Sequence, residues 1–187
     1  MKLNIHSTMK TLPYRRQSGF TLVELLVVIT IIAVLAGAGF AAGHAAIQKA
    51  KRTTALATLT GIESAVNNFY TEYGAMPSEK KEVNTTSDTS LVKTLIGEDA
   101  TTNTRNVKFL SVKEVKKGSK KDGLDYTDFK LYDPWGNALT IYLDSEYTEK
   151  LTVSFGGKDV ELNGRRVAVS SVGADKKAGT NDDVKTW

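Results

Sequence analysis

Between Phe20 and Ala42 the chain runs for 23 residues with one ionisable side chain, Glu24, and no proline. Built as an α-helix rising ~1.5 Å per residue, that run crosses a hydrocarbon core of about 30 Å with a little to spare. The carboxylate is the anomaly. An acidic side chain near mid-bilayer costs about 2.5–3.5 kcal/mol on insertion scales, so one retained there marks a functional position. Lys2, Lys10, Arg15 and Arg16 precede it, and no acidic residue occurs from Met1 to Gly19. A basic leader, a glycine, a phenylalanine and an apolar run with one early glutamate read together as a processing and assembly signal.

Two other readings compete. A secretory signal peptide has an apolar stretch of 7–15 residues ending at a small-residue site. Ala36-Gly37-Ala38 supplies such a site, but the run is too long and carries a charge. An uncleaved anchor would leave Glu24 merely reaching for the cytoplasmic face. The hexapeptide Gly19-Phe20-Thr21-Leu22-Val23-Glu24 resembles the class III signal of type IV pilins and type II secretion pseudopilins. That resemblance implies cleavage after Gly19 by a prepilin peptidase, N-methylation of Phe20, and pairing of Glu24 with the freed amine of a neighbouring subunit during filament growth. Physical chemistry agrees: an ammonium and a carboxylate in hydrocarbon each lose hydration, and each is better off with the other.

The basic balance of the chain follows from the leader. Four of the 25 Lys+Arg and none of the 21 Asp+Glu fall in the first nineteen residues, which leaves 21 of each beyond them. The excess is an orientation signal for the N-terminus, and no nucleic-acid partner is implied. Lys49, Lys51 and Arg52 stand on the far side of the run. Cysteine is absent, which removes disulfides, thiol nucleophiles and thiolate metal sites. The two histidines, His6 and His44, lie in the leader and at the membrane edge. Histidine-dependent zinc or Ser-His-Asp chemistry therefore has no residues to use in the remainder, and the chain is expected not to be an enzyme.

Helical periodicity continues past the apolar run. Ile47, Leu56, Leu59, Ile62, Val66, Phe69, Tyr70 and Tyr73 recur at threes and fours, and Gly74 and Pro77 supply the stop. One helix from Phe20 to about Tyr73 is expected, roughly 80 Å long, with Gly37, Gly39 and Gly43 allowing close helix contact or local softening. Leu91–Ile96 reads as a short helix capped by Asp88 or Ser90 and ended by Gly97. Lys113 to Asp122, with five lysines, reads as a solvated loop, with a partner-binding patch as the alternative. Val107–Val112, Tyr126–Tyr132, Ala138–Leu143, Leu151–Phe155 and Arg165–Val172 are expected strands. Asp133-Pro134-Trp135-Gly136-Asn137, Gly156-Gly157-Lys158-Asp159 and Asn163-Gly164 are expected turns. The expected fold class is α+β: a long N-terminal helix packed on a small antiparallel sheet.

After the last strand, Ser171 to Asp183 gathers three carboxylates with Gly173 and Gly179. Ca²⁺ takes six to eight oxygens from carboxylates and main-chain carbonyls in a flexible cage, although the spacing here is no EF-hand. The loop is similar to the C-terminal calcium loop of major pseudopilins. That likeness assigns side-chain ligands to Asp175, Asp182 and Asp183 and main-chain ligands to Val172 and Thr180. Lys176-Lys177 stands where the family often has glycine and, with the three aspartates, gives a net charge of −1, so the expectation is a weak site or a lost one.

Taken over the chain, the resemblance implies a leader (1–19), a membrane-spanning and polymerising segment (20–42) and a periplasmic globular domain (43–187). It implies a single-pass protein of a bacterial inner membrane that polymerises with itself and with minor pseudopilins on an inner-membrane assembly platform. The implied function is a pseudopilus subunit driving protein export. A type IV or minor pilin for adhesion, motility or DNA uptake is the alternative, as is a membrane-anchored binding module that never polymerises.

Overall fold

The computed structural model describes residues 19–187, so the leader residues named above lie outside it. The chain divides into two compact units, one ending at His44 and one running Ala45–Trp187. A single helix, α1 (Leu22–Tyr73, 52 residues), contributes to both and passes Gly37, Gly39 and Gly43 without a break. Every described side chain from residue 19 to residue 44 is exposed, Leu22 at 79% and Phe40 at 82%. An apolar surface of that extent calls for lipid or another chain to cover it. Among the described residues, α1 is the one helix long and apolar enough to cross a membrane.

In the second unit α1 lays Ala55, Leu59, Ile62, Ala65, Val66 and Phe69 into the core. Ile47 and Leu56, expected in that stripe, stay exposed, and Ala55 takes the place of Leu56. Successive helical residues lie about 100° apart, so only one narrow arc faces the globular unit. Gly74 (φ 68) ends the helix by donating its N–H to Tyr70 O.

Three small sheets form where one was expected. The largest has the order β1 (Glu82–Asn84), β5 (Thr140–Leu143), β8 (Val167–Ser171), β9 (Val184–Lys185), antiparallel throughout. A second joins β2 (Glu114–Val115), β3 (Gly123–Asp125) and β4 (Lys130–Tyr132), with β2 and β3 parallel. β6 (Lys150–Phe155) and β7 (Lys158–Asn163) make a hairpin around Gly156-Gly157. β8 is buried along its whole length. Val167 and Val169 join the α1 core, while Ala168 joins a second core of Tyr142, Leu151 and Val153. Trp187 closes that second core edge-on to Tyr142 and Phe155, 6.0 Å from each ring.

Several expected elements differ. Val107–Val112 is no strand: the N–H groups of Phe109 and Leu110 both donate to Leu95 O, which ties this segment to the end of α2 (Ser90–Ile96). Only Lys130–Tyr132 of the Tyr126–Tyr132 run is extended, because Tyr126–Phe129 turns around Asp125, whose Oδ1 accepts from Thr127 N at 2.9 Å. β1, β7 and β9 come from short, largely polar stretches and become strands by pairing with a neighbour; β1 and β9 also bury Val83 and Val184 in the core, while β7 stays largely exposed. The N-cap of α2 is Thr89, which makes no side-chain bond. Asp88 Oδ1 instead accepts from Ser90 N and Ser90 Oγ at 3.1 and 2.6 Å.

Candidate assembly and ion sites

At the start of α1 the sequence Thr21-Leu22-Val23-Glu24 closes a capping box. Thr21 N and Thr21 Oγ1 both donate to Glu24 Oε2, at 2.8 and 2.7 Å, and Glu24 N donates to Thr21 Oγ1 at 3.2 Å. The residue expected to pair between chains is thus already engaged within its own. Thr21 was not singled out in the sequence, although a Thr-x-x-Glu spacing before an apolar run is a helix-start signal. The cap also explains why α1 begins at Leu22 and not at Phe20. Gly19 and Phe20 precede it in non-helical, exposed chain.

The loop that follows β8 folds upon itself. Asp182 Oδ2 accepts from Asp175 N at 2.9 Å, and Asp182 Oδ1 accepts from Thr180 Oγ1 at 2.6 Å. The Thr180 hydroxyl first, and then the Asp175 N–H, hold the Asp182 carboxyl below its ordinary range. Asp175 Oδ1 accepts from Lys177 N at 2.8 Å, and Asp183 Oδ2 accepts from Gly179 N at 2.9 Å. The other oxygen of Asp183 is different: Oδ1 is buried and has no hydrogen-bond partner. Among the described residues, no three His, Cys, Asp or Glu side chains gather closely enough to hold a metal ion. From α1, the Arg52 guanidinium donates to Asn181 O and Asp183 O, both at 3.3 Å. At Gly173 (φ 68) the chain doubles back so tightly that a Cβ would run into the Asp182 carbonyl.

A buried carboxylate ties this loop to the Asp133–Asn137 turn. Asp133 is fully buried. Its Oδ1 accepts from Trp135 N and Asn137 N at 2.9 and 2.7 Å. Its Oδ2 accepts from Asn137 Nδ2 and Ser171 Oγ at 3.0 and 2.5 Å. Asn137 Nδ2 also donates to Gly173 O at 2.6 Å, and Trp135 Nε1 donates to Gln48 Oε1 of α1 at 2.9 Å. One turn therefore holds the end of β8, the start of the acidic loop and the helix in register. Sequence marked this segment as a turn; its role as a junction needed the fold.

A capped apolar helix leading into a helix-on-sheet unit gives the chain a type IV pilin-like α+β fold. Residues 14–40 match the family described as the prokaryotic N-terminal methylation motif. The chain is 27% identical over 173 residues to the type II secretion system core protein G of Aeromonas hydrophila, covering 92% of this chain and 94% of that protein. It is 33% identical over 75 residues to a fimbrial protein of Neisseria meningitidis, covering 40% of this chain and 44% of the relative. It is 32% identical over 75 residues to a type IV major pilin protein of Neisseria gonorrhoeae, covering 40% and 45%. No solved structure matches.

Proposed function

We propose that this chain is the subunit of a type II secretion-like pseudopilus, matured by cleavage after Gly19 and methylation of Phe20. The observation that carries the choice is one of extent. Similarity to the Aeromonas secretion protein runs through nearly the whole of both chains, whereas the Neisseria relatives match over less than half of theirs. The methylation motif carries the maturation step. In this reading α1 anchors the chain in the inner membrane with its globular unit in the periplasm, and an assembly platform then moves subunits into a filament. The pilin alternative keeps the same maturation and differs only in what the filament does. Mass spectrometry of the protein purified from its host is expected to find an N-terminal methylated Phe20. An intact leader would overturn the maturation, and undiminished export after deletion of the chain would overturn the pseudopilus.

The proposal includes a structural Ca²⁺ at the acidic loop, where Asp175, Asp182 and Asp183, not gathered around one point as the loop stands, would have to draw together around it with the main-chain oxygens of Val172 and Thr180. The unpartnered Asp183 Oδ1 supports it, since a buried carboxylate oxygen without a donor is costly unless a cation or proton meets it. Asp175 and Asp182 would have to share oxygens that now accept from loop N–H groups. Bound calcium would stabilise the folded chain by about 2.7 kcal/mol at a concentration a hundred times its dissociation constant. Calorimetric titration and melting of the full chain in detergent are expected to register heat and a raised Tm with millimolar calcium. Neither heat nor a shift, against a chelated control, would remove the ion.

A further inference from the structure

The lysine-rich stretch after Val112 is not a slack loop. Its first part pairs as β2, Gly118 N donates to Asp125 Oδ2 at 2.6 Å, and Leu124 N donates to Lys113 O at 2.8 Å. Gly136 (φ 87) lets the Trp135 turn approach it so closely that a Cβ there would lie 2.5 Å from Lys120 O. Loop, turn and helix enclose an open groove of about 890 Å³. Lys113, Lys116, Lys120 and Lys121 line it from the loop and Lys51 from α1, while Trp135 and Pro134 come from the turn. Glu114 and Asp122 offset two of the five charges. The chain beyond the leader, groove included, is formally neutral, so this concentration of lysine on a fixed scaffold is local.

We propose that the groove binds the phosphate headgroups of anionic phospholipid in the bilayer that anchors the chain. Two observations favour lipid over an acidic polypeptide or a nucleic acid. Gln48, which pins the Trp135 ring, and Lys51 follow the end of the apolar run at Ala42 by six and nine residues. Even fully extended, that length of chain reaches no further than about 30 Å, so part of the groove wall is tethered beside the membrane. Tryptophan and lysine are the residues that settle at headgroup level, where the indole sits in the interface and the ammonium meets phosphate. The contact would hold the subunit against the bilayer before assembly and would be given up when the helix leaves it.

The inference rests on the anchoring part of the proposed function, and its test requires no filament. The full processed chain, one copy per nanodisc, is acetylated in discs of phosphatidylcholine and in discs mixed with phosphatidylglycerol, and each lysine is followed by mass spectrometry. Lys113, Lys116, Lys120 and Lys121 are expected to slow roughly five-fold with the anionic lipid, as about 1 kcal/mol per lysine implies. Lys80, Lys150 and Lys158, exposed elsewhere on the same unit, are expected not to change. The protection should fade at high salt as the Debye length shrinks, and Lys116→Gln with Lys120→Gln should remove it from Lys113 and Lys121. Equal rates in the two discs, or equal slowing at Lys150 and Lys158, would overturn the groove. Protection that arises only when several copies share a disc would assign it to a second copy instead. Failure of the chain to enter discs at all would bring down the anchoring itself.

Discussion

A Glu24→Ala chain is expected to insert and lose its leader as the parent does, yet fail to enter filaments. In the proposed maturation, cleavage after Gly19 would leave an ammonium on Phe20, one residue before the helix cap at Thr21. In a filament core or a bilayer that charge has no water. Breaking a buried ion pair from one side costs about 3–5 kcal/mol, because the remaining charge stays uncompensated. Spread over one subunit contact, this is a loss of roughly two to four orders of magnitude in affinity. The capping box offers a rival account, since Glu24 also accepts from Thr21 N and Thr21 Oγ1. Loss of a cap is worth only about 0.5–2 kcal/mol. Glu24→Gln separates the two, because an amide oxygen can accept the cap bonds but carries no charge. Filament yield after shearing and subunit cross-linking would be measured for both variants. If Glu24→Gln assembles like the parent, the cap is sufficient and charge pairing is not the driving interaction.

Asp133→Ala should produce the largest loss of stability of any single change in the globular unit, about 3–5 kcal/mol. The carboxylate meets four donors: Trp135 N, Asn137 N, Asn137 Nδ2 and Ser171 Oγ. Its site is fully buried, so water cannot replace what alanine removes, and each stranded donor costs about 1–3 kcal/mol before relaxation. At 2–4 °C per kcal/mol for a chain of this size, the melting transition should fall by roughly 10 °C. Asp133→Asn keeps an acceptor toward the two turn N–H groups and should fall less. Because Asn137 Nδ2 also reaches Gly173 O, the alanine variant should loosen the acidic loop and weaken any calcium response measured there. A melting temperature within a degree or two of the parent would mean that the junction is held mainly by packing.

The α1 stripe was legible because its pattern is set by helix geometry alone: Leu59, Ile62, Val66 and Phe69 recur wherever one face is covered. How wide that face would be was not, which is why Ile47 and Leu56 were assigned to it and proved exposed. The turn at Asp133–Asn137 announced itself through proline and glycine, but its partners at Gln48, Ser171 and Gly173 lie 36 to 87 residues away in sequence. No local signal encodes such a meeting. The same holds for Arg52, whose main-chain contacts at Asn181 and Asp183 span about 130 residues. Thr21 is the opposite case, a role written in plain local spacing and overlooked beside Glu24.

The amino-acid sequence by itself determined the apolar helix, the charge within it, the site of cleavage implied before it and the change from helical to extended chain beyond it. Those are properties of composition and of short-range geometry, and they hold whatever the chain packs against. Tertiary structure alone decided that β1, β7 and β9 are strands, that β2 lies parallel to β3, and that the C-terminal tryptophan seals a second core. It also decided that five lysines surround one groove. In each of these the stabilising partner is distant in sequence: a polar strand has no reason to extend until another edge offers it hydrogen bonds, and scattered charges make no site until the fold brings them together.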